Sequence, residues 1–392
     1  MMCSLRSSSW FAGAVALLVT CGGAEVQAGN ALSLAAPTLA NVEPAALRSG
    51  SVALRSGSVA LRSGPVALQR RPVAGERLVH AFVLDHTLVA QRMATRIGSE
   101  EQLSQDGIEL GGRTSFRFAD EVREVEGPRA TLLRRVVEDA TVHVDMRLQP
   151  PGGAPRTIAL DGGSPLTGTS VLHRYVPARD VYGKLYDGQE TSEEFLPRLF
   201  TDIALTCLLP AAPVEVGAQW TVAPARLVEV FAYGGLVPIR FAKGADPLLV
   251  RTTALGVGGP LFEVFGGEVT GTVGAELVSV EAGIARIALR VDVRAVRDQT
   301  ALNQANLTPP ELYDGTVVES GRAEWSFRGQ GELRWNVDAG RAEALSLAGA
   351  EEIRLALALK GPTGKSGSDL ALAGGLKLSI DIAVAPKSAQ PR

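Results

Sequence analysis

From Gly75 onward, apolar and polar residues alternate with a period of two in segment after segment. Thr141 to Leu148 places Val142, Val144, Met146 and Leu148 on one face and Thr141, His143, Asp145 and Arg147 on the other, the pattern of a half-exposed β-strand. Ile287, Leu289, Val291 and Val293 alternate with charged residues in the same way, as do Ile353, Leu355, Leu357 and Leu359. Leu376, Leu378, Ile380, Ile382 and Val384 complete the set.

The longest such run is Ala323 to Asp338. Trp325, Phe327, Gly329, Gly331, Leu333, Trp335 and Val337 share one face, and Glu324, Arg328, Gln330, Glu332 and Arg334 lie on the other. At about 3.3 Å per residue this strand is more than twice the usual length of about 17–20 Å, so it predicts a strongly curved sheet. Gly329 and Gly331 are where it would bend or admit a ligand, with Trp325, Phe327 and Trp335 beside them. Asp338-Ala339-Gly340 then predicts a hairpin turn.

One segment has helical spacing instead. Phe195, Leu199 and Ile203 form an apolar stripe, and Thr191 with Glu194 has the form of a capping box, which predicts an amphipathic helix over about 192–206 covering the sheet. The predicted fold is mainly β: long antiparallel, strongly curved sheet, half-barrel or sandwich-like, with one covering helix. Pro210 and Pro213 divide the body into 75–210 and 211–392, as two lobes or one domain.

The N-terminus follows other rules. Arg6 and the uncharged stretch Trp10 to Thr20 match a secretory signal peptide over 1–28, too short to span a bilayer. Its end reads two ways. Leu18-Val19-Thr20-Cys21 resembles a lipobox that would lipidate Cys21, although Thr20 departs from the usual small residue, and Val26-Gln27-Ala28 suits ordinary cleavage. Residues 46–66 hold three copies of a seven-residue unit, each with an internal Ser-Gly step. An interior glycine costs about 1 kcal/mol in a helix, so 29–74 reads as a disordered low-complexity tether rather than a coiled coil.

Charge separates at the same boundary. The tether carries +4, whereas the body carries 33 basic and 40 acidic residues for −7, which argues against nucleic-acid binding. Arginine outnumbers lysine 33 to 6, which reads as codon bias and carries no functional message. Cys207 is the body's one cysteine, so no disulfide staples it, and its apolar setting makes it a core residue.

Enzymatic signatures are weak. The four histidines, His80, His86, His143 and His173, have no metal-ligand spacing. His80 and His86 would share a strand face about 20 Å apart, too far to bind one ion. Asp85-His86 point to opposite faces and read as a surface pair. Gly364-Lys365-Ser366 lacks the preceding glycine of a phosphate loop, so it reads as a hairpin, and Glu193-Glu194 and Glu351-Glu352 diverge on either element. No metal, catalytic set or cofactor is expected.

The segment from Leu209 to Val222, with Pro210, Pro213, Gly217 and Trp220, resembles one in uncharacterised exported or lipid-anchored bacterial β-rich proteins. That resemblance implies an exported β-protein in the periplasm, at the cell surface or anchored to the envelope, and brings no functional residues. An outer-membrane barrel is not expected, because the chain is aromatic-poor. Three functions follow. The first is a non-catalytic envelope protein binding an apolar ligand or lipid on its curved sheet, similar to the half-barrel lipid carriers of the envelope. The second is a structural or interaction module filled by its own side chains. The third is a hydrolase with a nonstandard site, which requires Asp85, His86, His143 or His173 to converge in one cleft.

Overall fold

The structure, a computed structural model, describes residues 64–103, 107–149, 153–188, 193–201, 204–235, 237–241, 267–305, 315–362 and 364–385. The leader, Cys21 and the tether before residue 64 lie outside them. Among the described residues the strands are β1 (Arg77–Ile97), β2 (Glu100–Leu103), β3 (Gly107–Glu126), β4 (Arg129–Gln149), β5 (Arg156–Gly163), β6 (Ser170–Val176) and β7 (Val181–Tyr186). They continue with β8 (Gln219–Val222), β9 (Arg240–Phe241), β10 (Glu268–Glu281), β11 (Ile284–Asp298), β12 (Val317–Asn336), β13 (Arg341–Gly361) and β14 (Gly364–Val384).

All belong to one antiparallel sheet in the order β7-β6-β4-β3-β1-β14-β13-β12-β11-β10-β8, with β2 beside β1, β5 beside β4 and β9 beside β5. β7 and β8 end the order, so the sheet is open and not a barrel. The first and last strands, β1 and β14, pair along nearly their whole lengths, from Leu78 opposite Val384 to Ile97 opposite Ser366. The regions 75–210 and 211–392 therefore share one sheet and one main core.

Period two carries through to burial. Val142, Val144, Met146 and Leu148 are buried, as are Ile287, Leu289, Val291 and Val293, because strand side chains alternate faces and one face is covered. Val384, at the end of β14, is exposed. The turn at Asp338-Ala339-Gly340 joins β12 to β13, and the Gly364-Lys365-Ser366 segment opens β14 after a hairpin, with Lys365 donating to Glu319 at 3.0 Å.

Gly329 and Gly331 mark close backbone approach. A Cβ on Gly331 would lie 1.9 Å from the Ser346 carbonyl oxygen of β13, and one on Gly329 would meet the Phe327 ring at 2.4 Å and the Ala348 oxygen at 2.6 Å. Gly331→Ala is thus expected to destabilise the protein by about 2 kcal/mol or more, because backbone must move. Gly274→Ala, with nothing within 4 Å of its Cβ, should be neutral or mildly stabilising. Guanidinium unfolding midpoints of the two variants check the contrast.

Two expectations are corrected. The helix over 192–206 is not continuous: among the described residues the segment forms 3-10 turns at Glu193–Arg198 and Thr206–Leu208. Pro197 lies inside the first and removes an amide, and Leu205 adopts a left-handed φ of 59° before the second. The tether also ends earlier than Ala74. Val66 pairs with Val214 through bonds of 2.7 and 3.0 Å, and Val66 and Leu68 are buried in the main core. Their apolar side chains gain a surface to bury against.

The covered face of the sheet is filled by the chain itself. The described residues between Phe195 and Phe241, called the plug below, bury Leu196, Leu199, Leu205, Leu208, Leu227, Val230, Phe231 and Tyr233. A single helical turn, Val228–Phe231, sits in it. Phe231 meets Trp325 and Phe327 edge-on at 5.1 and 5.5 Å, and the Tyr233 ring stacks on Phe82 at 5.9 Å. Another short helix, Thr300–Ala305, lies against β12.

Candidate functional site

Beneath the plug, four neighbouring strands each turn one polar side chain inward: His80 from β1, Asp120 from β3, Arg135 from β4 and His173 from β6. All four are at most 4% exposed, so this is a desolvated polar row set among apolar side chains. A bulge explains its position on β4. Arg117 pairs with Asp139 but Phe118 pairs with Val137, so Glu138 is the extra residue and reverses the phase of the strand. Leu133, Arg135 and Val137 face inward before it, and Ala140, Val142 and Val144 after it.

Arg135 and Asp120 stand opposite each other in the ladder and form a two-pronged ion pair of 2.7 and 2.8 Å. Arg135 also donates to the plug carbonyls of Phe200 and of Thr201, the latter at 3.0 Å. The His173 Nδ1 and the Thr201 hydroxyl share a 2.9 Å hydrogen bond. Lys184 of β7 donates to the Leu199 carbonyl at 2.5 Å. From the other side, His80 Nδ1 and the Tyr233 hydroxyl share a bond of 2.7 Å, while His80 Nε2 lies 3.8 Å from Asp120. The two ends of the plug are tied by Phe200 N–H donating to the Gly234 carbonyl at 3.1 Å. Gly235 permits this crossing, because its φ is +106° and a Cβ there would lie 2.3 Å from the Arg198 oxygen.

Electrostatics follow from burial. Desolvation pulls His80 down to about 4 despite Asp120, with Arg135 and Arg70 pushing the same way. His173 falls to about 3, again mainly through burial and then through Arg135. Burial pushes Asp120 upward, but the Arg135 charge and its hydrogen bonds outweigh this and hold the carboxyl below its ordinary value. At neutral pH the row therefore holds an ion pair flanked by two neutral imidazoles. A cavity of about 20 Å³ reaches His80 and Asp120 between Arg70, Arg71, Glu76 and Arg341, room for a single water.

A second buried group lies further along the same face. His86 Nδ1 bonds Glu351 at 2.7 Å, and Trp325 donates its indole N–H to the other oxygen of Glu351 at 3.2 Å. His86 is thus not part of a surface pair with Asp85. Asp85 points outward to Arg113 at 3.4 Å, while its neighbour finds a buried carboxylate two strands away. Glu351 and Glu352 diverge as expected, the first buried and the second paired with Arg354 at 3.2 Å.

His143 is exposed between Asp161 at 2.7 Å and Asp145 at 3.0 Å, whose hydrogen bonds raise its pKa. Asp85, His86, His143 and His173 therefore have four separate sets of partners, and the convergence a hydrolase needs does not occur. Cys207 packs partly buried against the core. Trp325, Phe327 and Trp335 are each at most 1% exposed, with the first two under Phe231, so they form core and not an open ligand face. A wider concavity of about 650 Å³ lies on the opposite, polar face over Gly329 and Gly349, lined by Arg290, Asp292, Arg328 and Gln330.

Sequence reasoning missed Asp120, Arg135, Tyr233 and the role of His80. The available signal was a charge in an apolar run, as in Leu132-Leu133-Arg134-Arg135-Val136-Val137. Alternation alone could not choose between Arg134 and Arg135.

Comparisons with known proteins assign no family. No protein-family model matches the chain, and no curated protein matches it. Among solved structures it is similar to the outer membrane protein OprG from Pseudomonas aeruginosa, at 6% identity over 81% of this chain and 99% of that one, with a TM-score of 0.23. It is also similar to the COG4313 outer membrane channel from Pseudomonas putida F1, at 7% identity over 82% and 100% of the two chains, with a TM-score of 0.20. The InvG secretin domain β-barrel from the Salmonella SPI-1 injectisome matches at 9% identity over 82% of this chain and 66% of that one, with a TM-score of 0.15. Superpositions this poor establish no common fold, so the chain stands as an open antiparallel sheet without an assigned family.

Proposed function

We propose that this chain is an exported, non-catalytic protein of the cell envelope in which a curved sheet, filled by its own plug, acts as a structural or protein-interaction module. The observation that carries the reading is the seating of Phe231 and Tyr233 on the aromatic face of the sheet, where an apolar ligand would otherwise lie. The buried polar groups support it. Arg135, Asp120, His80 and His173 bond to one another and to the plug, and the cavity that reaches His80 and Asp120 among the described residues is only about 20 Å³. Export rests on the leader, and anchoring through Cys21 is the alternative to cleavage after Ala28.

Native mass spectrometry of the chain purified from the envelope of its host tests both points. The expected result is the protein mass with no bound lipid after gentle desolvation. A stoichiometric co-purifying lipid would overturn the self-filled reading and restore the carrier. The same spectrum separates a chain beginning at Gly29 from one beginning at an acylated Cys21.

A further inference from the structure

We propose that the polar row under the plug is an acid-operated latch: protonation of His80 and His173 releases the plug at Leu199–Thr201 and Tyr233 and uncovers the aromatic face, while the sheet stays paired. The geometry divides the molecule accordingly. The sheet is held by long backbone ladders such as β1 with β14, β3 with β4 and β12 with β13. Within the plug, β8 and β9 are paired to β10 and β5 and stay with the sheet, whereas two short stretches, Leu199–Thr201 and Tyr233, are held to it by apolar packing and by side-chain bonds from His80, Arg135, His173 and Lys184. Gly234 and Gly235, both with positive φ, adjoin the second stretch and provide a pivot.

Charge supplies the trigger. The groups facing the row are Lys184 from β7, His173 from β6, Arg135 from β4, Asp120 from β3, His80 from β1, the Tyr233 hydroxyl from the plug and Arg70 from the N-terminal arm. Glu76 and Arg341, paired at 2.6 Å, line the small cavity that leads to His80. Asp120 is the one carboxylate within the row and is already neutralised by Arg135. A proton on His173 faces Arg135 and Lys184, and one on His80 faces Arg135 and Arg70; Asp120 attracts both, but burial together with these cations outweighs it, so each proton adds a net unfavourable buried charge.

The sign follows from linkage. Both imidazoles titrate below 6.5 when the plug is seated and near 6.5 once it lifts into water, so the released state binds more protons between about pH 6.5 and about 4. The seated state is fully favoured above that window and loses ground as pH falls through it. Each histidine raises the released population up to about tenfold per pH unit.

The test is a titration of the full chain from pH 7.5 to 4, following binding of an anilinonaphthalene dye, acrylamide quenching of tryptophan and strand circular dichroism. Dye binding and quenching should rise below pH 6.5 with strand signal unchanged. The variant His80→Asn with His173→Asn, which keeps a hydrogen-bonding atom near Nδ1 but cannot titrate, should remove that rise. Dye binding that appears only as strand signal disappears would overturn the latch, as would an unchanged profile in the variant. Should the variant not fold, hydrogen exchange on the unaltered protein decides. Loss of protection at Phe200 and Gly235 before the β1–β14 ladder supports release of the plug, and simultaneous loss overturns it.

Discussion

Arg135→Ala is expected to destabilise the protein by about 3–5 kcal/mol, measured as the shift in free energy of unfolding at pH 7. Its guanidinium is 1% exposed and holds Asp120 through two hydrogen bonds while reaching the carbonyls of Phe200 and Thr201. Truncation leaves the desolvated Asp120 carboxylate without its ion-pair partner, and strips donors from two part-buried carbonyls. Removing both charges together tells the ion pair apart from simple packing. If pairing is what Arg135 supplies, Arg135→Met with Asp120→Leu should cost clearly less than Arg135→Met alone, and Asp120→Leu alone should cost several kcal/mol by leaving Arg135 uncompensated. Equal, additive costs would show that the two charges do not depend on each other.

Phe231→Ala is expected to cost about 3–5 kcal/mol as well, by a different mechanism. The ring is 1% exposed and packs edge-on against Trp325 and Phe327, which are themselves stacked at 5.9 Å. Its loss opens a cavity beside the Trp325 and Phe327 rings. The measurement is denaturant unfolding together with tryptophan emission, which should shift to longer wavelength as water enters beside Trp325. A small cost with unchanged emission would mean that the plug is loosely seated, contrary to its burial. Phe231→Leu should recover much of the loss, since it refills most of the volume.

Both effects arise where local pattern was least informative. In β12, the alternation of Trp325, Phe327, Leu333 and Trp335 with charged neighbours was enough to place these residues on the covered face, and they are buried there. The glycines between them signal a bend or a close approach, and the Ser346 carbonyl occupies the space a Cβ on Gly331 would need. The stripe at Phe195, Leu199 and Ile203 carried the right burial for Leu199 but the wrong conformation, because Pro197 interrupts the helix that the spacing predicts. The short plug turns then take their shape from tertiary anchors, such as the bonds from Arg135, His173 and Lys184.

Histidines illustrate the limit more sharply. His80 and His86 were placed on one face of one strand, and both are buried. Their partners, Tyr233 and Glu351, lie 153 and 265 residues away. No spacing rule connects residues across such separations, whereas His143 takes one partner, Asp145, from two residues along its own strand.

By itself the amino-acid sequence determined that the body is built of long half-buried strands with a continuous apolar face, since strand side chains alternate locally and the pattern needs no partner. It also determined the hairpins at Asp338-Ala339-Gly340 and Gly364, where chain reversal is a property of a few adjacent residues. Only the tertiary structure decided which charges turn inward. The extra residue Glu138 reverses the phase of β4 and sends Arg135 to Asp120, and the pairing of β1 with β14 and β14 with β13 brings His86 to Glu351. The physical reason is that a charge tolerates burial only with a partner, and the partner is chosen by strand order and register, which are long-range properties.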